Sequence, residues 1–177
     1  METVKIPKFK NKQELYRFIN MRLVGILSAE SDWLANLCNT AALMNQLMEE
    51  INWVGFYLTK NNDELILGPF QGKPACVHLY YGKGVCGTAA QKKEIQLVPD
   101  VHAFEGHVAC DADSRSEIVL PLIIEDEVMG VLDIDSPVLN RFDEEDQEGL
   151  KKVTKTLIEY LNWKAVKLHQ EQYKIQS

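Results

Sequence analysis

Three cysteines of this 177-residue chain stand where packing alone does not explain them. Cys76, Cys86 and Cys110 fall at the ends of predicted β elements or in turns, outside the apolar runs that usually hold a structural thiol. Cys110 lies in GHVACDADSRSEIVLPL, residues 106–122, between a histidine and a cluster of acids and just before an apolar run. The three spacings do not make the paired CxxC of a structural zinc site, and His78, His102 and His107 complete no recognisable ligand pattern with them. Thiol–disulfide redox chemistry fits three loop thiols better, and no metal is expected. The acids around Cys110 disfavour a thiolate. His107, Arg115 or a bound cationic group could offset them, and the sequence does not choose among the three.

Two further features lie near these thiols. In the strand 52–58, NWVGFYL, alternation puts Trp53, Gly55 and Tyr57 on one face and Val54, Phe56 and Leu58 on the other. Two aromatics separated by a glycine leave a gap between rings that could wall a small-molecule pocket; a packed layer in which Gly55 admits a neighbouring helix is the plainer alternative. In the hairpin from Glu117 to Asp135, an acidic turn that sets Ile124 opposite Val128 also sets Glu117 opposite Asp135 and Val119 opposite Asp133. Three carboxylates then share one face near one end. Like charges directly opposite are destabilising, so a cationic ligand group or a proton shared between two acids should compensate them. A bulge at Pro121 would shift the pairing by one, and a merely polar strand end is the other reading of LDIDSP. GKGVCGT, residues 82–88, has neither the GxxxxGK[ST] nor the GxGxxG order. It offers instead backbone N–H groups at a helix start, suited to a small carboxylate.

Helical periodicity predicts helices over 12–28 and 31–50, the second capped by Ser31 or Asp32, with Leu34, Leu37, Ala41, Met44, Leu47 and Met48 apolar and Cys38 buried among them. INWVGFYL, ELILGPF, VHLYY, EIQLVPDV, EIVLPLII and VMGVLDID each read as strands. A helix capped by Asp143 and running to 172 continues one stripe through Leu150, Val153, Leu157, Leu161 and Ala165. The expectation is one α+β domain over 1–177: N-terminal helices in 1–50, a central, mostly antiparallel sheet of about six strands with the active-site loops in 51–135, and a C-terminal helix over 143–172. That helix is long enough to overrun the domain, as a homodimer contact or a frayed tail. A net charge of −7 argues against nucleic acid and anionic membranes as partners. The first residues have no signal-peptide core and no apolar run reaches the ~20 residues of a membrane span. The chain therefore reads as cytoplasmic, where thiols stay reduced.

NWVGFYL, LILGPFQGKPAC, GKGVCGTAA, VPDVH, GHVACDADSRSEIVLPL and GVLDIDSP together resemble the free methionine-(R)-sulfoxide reductases, which are built on a GAF fold. The likeness covers roughly residues 30–150 and keeps the separations between the three loop cysteines; Cys38 has no counterpart in it. It implies a GAF-like domain that reduces free L-methionine-(R)-sulfoxide to L-methionine, an oxidoreductase acting on a sulfur group with a disulfide as acceptor. By that resemblance Cys110 is the nucleophile, Cys76 forms the disulfide with it, and Cys86 contributes to recycling. Trp53, Tyr57, Glu117, Asp133 and Asp135 match the family's pocket positions, with Glu117 or Asp135 protonating the sulfoxide oxygen. No cofactor is bound: thioredoxin supplies the electrons, from NADPH through thioredoxin reductase. The chemistry is self-consistent, because a sulfoxide needs a thiolate for its sulfur, an acid for its oxygen and a second thiol to trap the sulfenic acid. Three rival classes are a ligand-sensing GAF module, a peroxide-reducing thiol protein and a Cys/His zinc domain. The sensor has no use for three thiols at these separations, and a peroxide needs no ammonium site.

Overall fold

The computed structural model describes residues 6–61, 63–106 and 111–175; the predicted residues His107 and Cys110 lie outside them. Six strands form one antiparallel sheet in the order β3-β2-β1-β6-β5-β4. They are β1 (Trp53–Asn61), β2 (Glu64–Gly72), β3 (His78–Tyr80), β4 (Gln96–Val98), β5 (Ser116–Ile124) and β6 (Glu127–Ser136). Each coincides with one of the six apolar runs read from the sequence. Four helices cover one face: α1 (Lys12–Ala29), α2 (Trp33–Leu47), α4 (Glu144–Tyr160) and α5 (Trp163–Ile175). The fifth described α-helix, α3 (Gly84–Lys92), lies on the other. Alternation along the central strands sorts their side chains. Val54, Phe56, Leu58, Ile118, Leu120, Leu132 and Ile134 enter the four-helix core, while Trp53, Tyr57, Val119 and Val131 join Val85, Ala89 and Ala90 of α3 in a second, smaller core.

The β5–β6 hairpin reaches the predicted register by an unpredicted route. Glu125 and Asp126 both have positive φ (49° and 67°), so they make a two-residue turn of the kind that matches strand twist. Pairing therefore starts one residue tighter, at Ile124–Glu127 rather than Ile124–Val128. A register shift between Leu122 and Ile123, where Met129 is the extra residue, restores the lost step. Glu117 then faces Asp135 and Val119 faces Asp133, as expected. Pro121 pairs in register, beyond the point where β4 stops at Gln96–Val119 and β5 becomes an edge.

Two helical expectations need correction. Cys38 and Leu34 are exposed, not buried: α2 turns Leu37, Ala41, Met44 and Leu47 inward together with Asn36 and Thr40, and Asp32, not Ser31, caps it by accepting from Ala35 N–H. The C-terminal helix is two helices. Leu161 is extended (φ −73°, ψ 145°), and the Asn162 side chain accepts from Ala165 N–H, which starts α5 afresh. Trp163 and Val166 become the buried positions and Ala165 is only half-buried. The new direction lays α5 against β1, and Gln170 Nε2 donates to the Met129 carbonyl of the neighbouring β6 at 2.8 Å.

α1 and α4 are joined by a buried acid. Asp146 is fully buried in the capping box of α4 and accepts from Tyr16 Oη at 2.7 Å, Lys12 Nζ at 2.6 Å and Arg141 Nη1 at 3.3 Å. Burial and the Asp146 charge push the Tyr16 phenol well above its ordinary range. Gly149 permits the contact, since a Cβ there would stand 2.1 Å from the Tyr16 ring.

Candidate active site

The sheet face turned away from the four helices carries the acids. Trp53 of β1, Asp135 of β6 and Glu117 of β5 make one row across three strands, and Gly55, Asp133 and Val119 make the next. α3 lies across these rows and brings Cys86 Sγ to 3.9 Å from Glu117 Oε1. Trp53, Tyr57, Cys86, Glu117, Asp133 and Asp135 line one cavity, with Lys73, Lys83, Asp111 and Ser114 also on its wall. The predicted pocket residues among the described ones are thus brought together.

The aromatic wall differs from the expectation. No gap separates the rings: the Trp53 indole stacks between Phe70 (5.3 Å, 14°) and Tyr57 (5.7 Å, 23°). Nor does Gly55 admit a helix. A Cβ there would meet Phe70 Cβ at 2.3 Å and the Trp53 ring at 2.7 Å, so the missing side chain makes room for the stack itself. The Phe70 ring against Trp53 was not legible, because its place depends on the β1–β2 pairing.

Electrostatics on the cavity floor are dominated by desolvation. Burial pushes the Asp133 carboxyl up to about 6. Glu117 and Asp135 are driven well above the usual carboxylate range, by burial first and then by the neighbouring Asp133 charge. Burial thus opposes the charge of all three carboxyls, and hydrogen bonds from Cys86, Glu117 and the Ile134 amide offset it at Asp133. Among the described residues, Asp133 Oδ1 and Trp53 Nε1 are buried polar atoms with no hydrogen-bond partner. Burial among the acids likewise keeps the Cys86 thiol protonated, and the Tyr57 phenol is raised for the same reasons.

Two loops close over this floor. Tyr57 Oη donates to the Cys76 carbonyl at 3.1 Å, and Cys76 is disulfide-bonded, whereas Cys38 and Cys86 are free. Lys73, three residues before Cys76, pairs with Asp111 (3.4 Å) and Asp113 across the cavity. Asn52 Nδ2 donates to Asp111 Oδ2 (3.1 Å) and Ser114 Oγ (3.0 Å), so one strand end ties the 111–114 loop to β1. Asp111 is held below the ordinary range by the Asp113 N–H, then by Asn52 and Lys73. None of Asn52, Lys73, Asp111, Asp113 and Ser114 was legible as a site residue, although Lys73 and Asp111 stand in the same quoted segments as the cysteines. Of the backbone donors expected from Gly84 to Gly87, Gly84 N–H is taken by the Gly106 carbonyl at 3.2 Å. The amides that follow it in the first turn of α3 are the ones a helix leaves without intrahelical acceptors.

Cys86, Glu117 and Asp133 also place one ligand atom each within 4.8 Å of one another, a spacing that could hold a metal ion. The donor chemistry fits poorly. Burial pushes both the thiol and the Glu117 carboxyl toward their neutral forms, which a cation would have to reverse.

Residues 30–157 match the model of the GAF domain family, and the sheet with its helix-covered cavity makes the chain a GAF protein. The free methionine-R-sulfoxide reductase of Escherichia coli (strain K12) is 50% identical over 147 residues, covering 83% of this chain and 88% of its own. That of Saccharomyces cerevisiae is 45% identical over 154 residues, covering 83% and 86%. The X-ray structure of free methionine-R-sulfoxide reductase from Neisseria meningitidis in complex with its substrate is similar at a TM-score of 0.84 and 40% identity, over 90% of this chain and 95% of that one. The chain belongs to the free methionine-R-sulfoxide reductase family, the family its motifs resemble.

Proposed function

We infer that this protein reduces free L-methionine-(R)-sulfoxide to L-methionine with its own thiols and is recycled by thioredoxin. The observation that carries the reading is the cavity that Glu117, Asp133 and Asp135 line together with the stacked Trp53 and Tyr57, burial pushing each of the three carboxyls upward. A free amino-acid sulfoxide needs an anion for its ammonium, an acid for its oxygen and an apolar surface for its S-methyl group. Kinship with reductases of that name at 50% and 45% identity supports the same substrate.

The Cys110 thiolate attacks the sulfoxide sulfur while Glu117 or Asp135 gives the oxygen a proton. The attack joins the Cys110 sulfur to the sulfoxide sulfur; that S–S bond and the S–O bond then break as the hydroxyl passes to Cys110, so methionine leaves with its sulfur reduced by two electrons and Cys110 is left oxidised as sulfenic acid. Cys76 then attacks that sulfur, forming the Cys76–Cys110 disulfide and releasing the oxygen as water. The disulfide-bonded state of Cys76 supports it as the resolving thiol. A dithiol of thioredoxin reduces the disulfide by exchange, with electrons from NADPH through thioredoxin reductase. No bound cofactor takes part, and the reducing cytoplasm is where this cycle runs. Among the described residues, no helix is long and apolar enough to cross a membrane.

The test is incubation with dithiothreitol or thioredoxin and racemic free methionine sulfoxide, followed by chiral analysis. Only the R form should disappear. Cys110→Ser should produce no methionine, and Cys76→Ser one equivalent per chain without thioredoxin-driven cycling. Failure to consume either form returns the cavity to ligand sensing, and full cycling by Cys76→Ser removes its resolving role.

A further inference from the structure

Cys86 is the chemically capable group whose surroundings least suit the role the family resemblance gives it. A thiol that resolves a sulfenic acid or exchanges with thioredoxin must ionise and be reachable. Cys86 is 5% exposed, in the first turn of α3, and it stays free where Cys76 is disulfide-bonded. Glu117 of β5, Asp133 and Asp135 of β6 and the Tyr57 phenol of β1 surround it, while Lys83 lies just before α3 on the same cavity wall. The helix N-terminus favours a thiolate. Burial among three carboxyls opposes it more strongly, and the thiol is driven well above its ordinary range.

The geometry allows a different task. Cys86 Sγ points its hydrogen at Glu117 Oε1 across 3.9 Å, and one ligand atom each of Cys86, Glu117 and Asp133 lie within 4.8 Å of one another. We propose that Cys86 takes no part in disulfide exchange and is a positioning residue: its S–H is the neutral donor that Glu117 and Asp133 share, and it holds the two carboxyls in place on the cavity floor. The unpartnered Asp133 Oδ1 is then left for the substrate ammonium. This assignment rests on the reductase reading for its purpose, though not for its test.

A donor to a carboxylate stabilises the ionised form, so removing it raises the pH at which Asp133 ionises. Carboxyl titration by NMR reads this without turnover. In Cys86→Ala the Asp133 midpoint should move up from about 6, and in Cys86→Ser, which keeps a donor, it should return toward the wild-type value. A midpoint unmoved in Cys86→Ala overturns the proposal. In turnover near pH 6, Cys86→Ala should show a KM about two- to ten-fold higher, the range one hydrogen bond carries. Cys86→Ser should recover most of that loss, and both variants should still cycle with thioredoxin. If both stop after one equivalent of methionine, Cys86 is a resolving thiol and the proposal falls. A wild-type protein that consumes no free sulfoxide removes the reductase reading and leaves the titration result standing.

Discussion

At the residue scale the three buried acids carry charge against the cost of desolvation, and Asp133 tests that cost. Its carboxyl titrates near 6, above the ~4 of an unfolded aspartate. The raised value means that ionisation opposes folding. The stability contribution is fully present below about pH 4 and is lost as pH rises through about 6. Asp133→Asn should therefore raise Tm by about 5 °C at pH 8 and change it little at pH 4, measured by thermal melts at both. The same variant should raise KM ten-fold or more at pH 8, because a charge-assisted contact of roughly 1.5–3 kcal/mol is lost. A melt that falls at pH 8 would mean that the charge stabilises the fold. These acids were legible because strand period two assigns each of Glu117, Asp133 and Asp135 a face without knowledge of anything else. The surroundings of Cys86 were not, since they depend on how α3 docks across the sheet, and nothing local to GKGVCGT encodes that.

At the element scale, pairing between α1 and α4 depends on one buried carboxylate. Asp146 accepts from Tyr16, Lys12 and Arg141 at once, so Asp146→Ala leaves the buried Tyr16 phenol without its acceptor and removes the shared anion between Lys12 and Arg141. The expected loss is about 3–5 kcal/mol in urea unfolding, with turnover per folded molecule near wild type because the site lies across the sheet. A loss under 1 kcal/mol would show that Lys12 and Arg141 rehydrate freely. Element legibility divides along similar lines. The strands were readable from apolar runs bounded by Gly, Pro and Asp. The break between α4 and α5 was not, because Leu157, Leu161 and Ala165 keep helical spacing across it. Only Asn162, a preferred cap residue in the middle of the stripe, signals that a second helix starts there.

At the scale of the whole molecule, a single sheet separates two apolar interiors, the larger under the four helices and the smaller around the acids. The free thiols divide along the same line: Cys86 is buried in the smaller interior, whereas Cys38 is exposed on α2, on the opposite side of the sheet. Iodoacetamide applied to the native, disulfide-containing protein should modify Cys38 rapidly and reach Cys86 only after unfolding, as read by peptide mass. Rapid native labelling of Cys86 would show that α3 opens readily. The exposed Cys38 also bears on how preparations are handled. Two copies left in air can cross-link through it, so a double-mass band on a non-reducing gel would report storage history and not assembly. Replacing Cys38 by serine gives a protein whose remaining thiols can be counted as site chemistry, and a maleimide dye on the native residue gives a reporter on the far side of the sheet from the cavity.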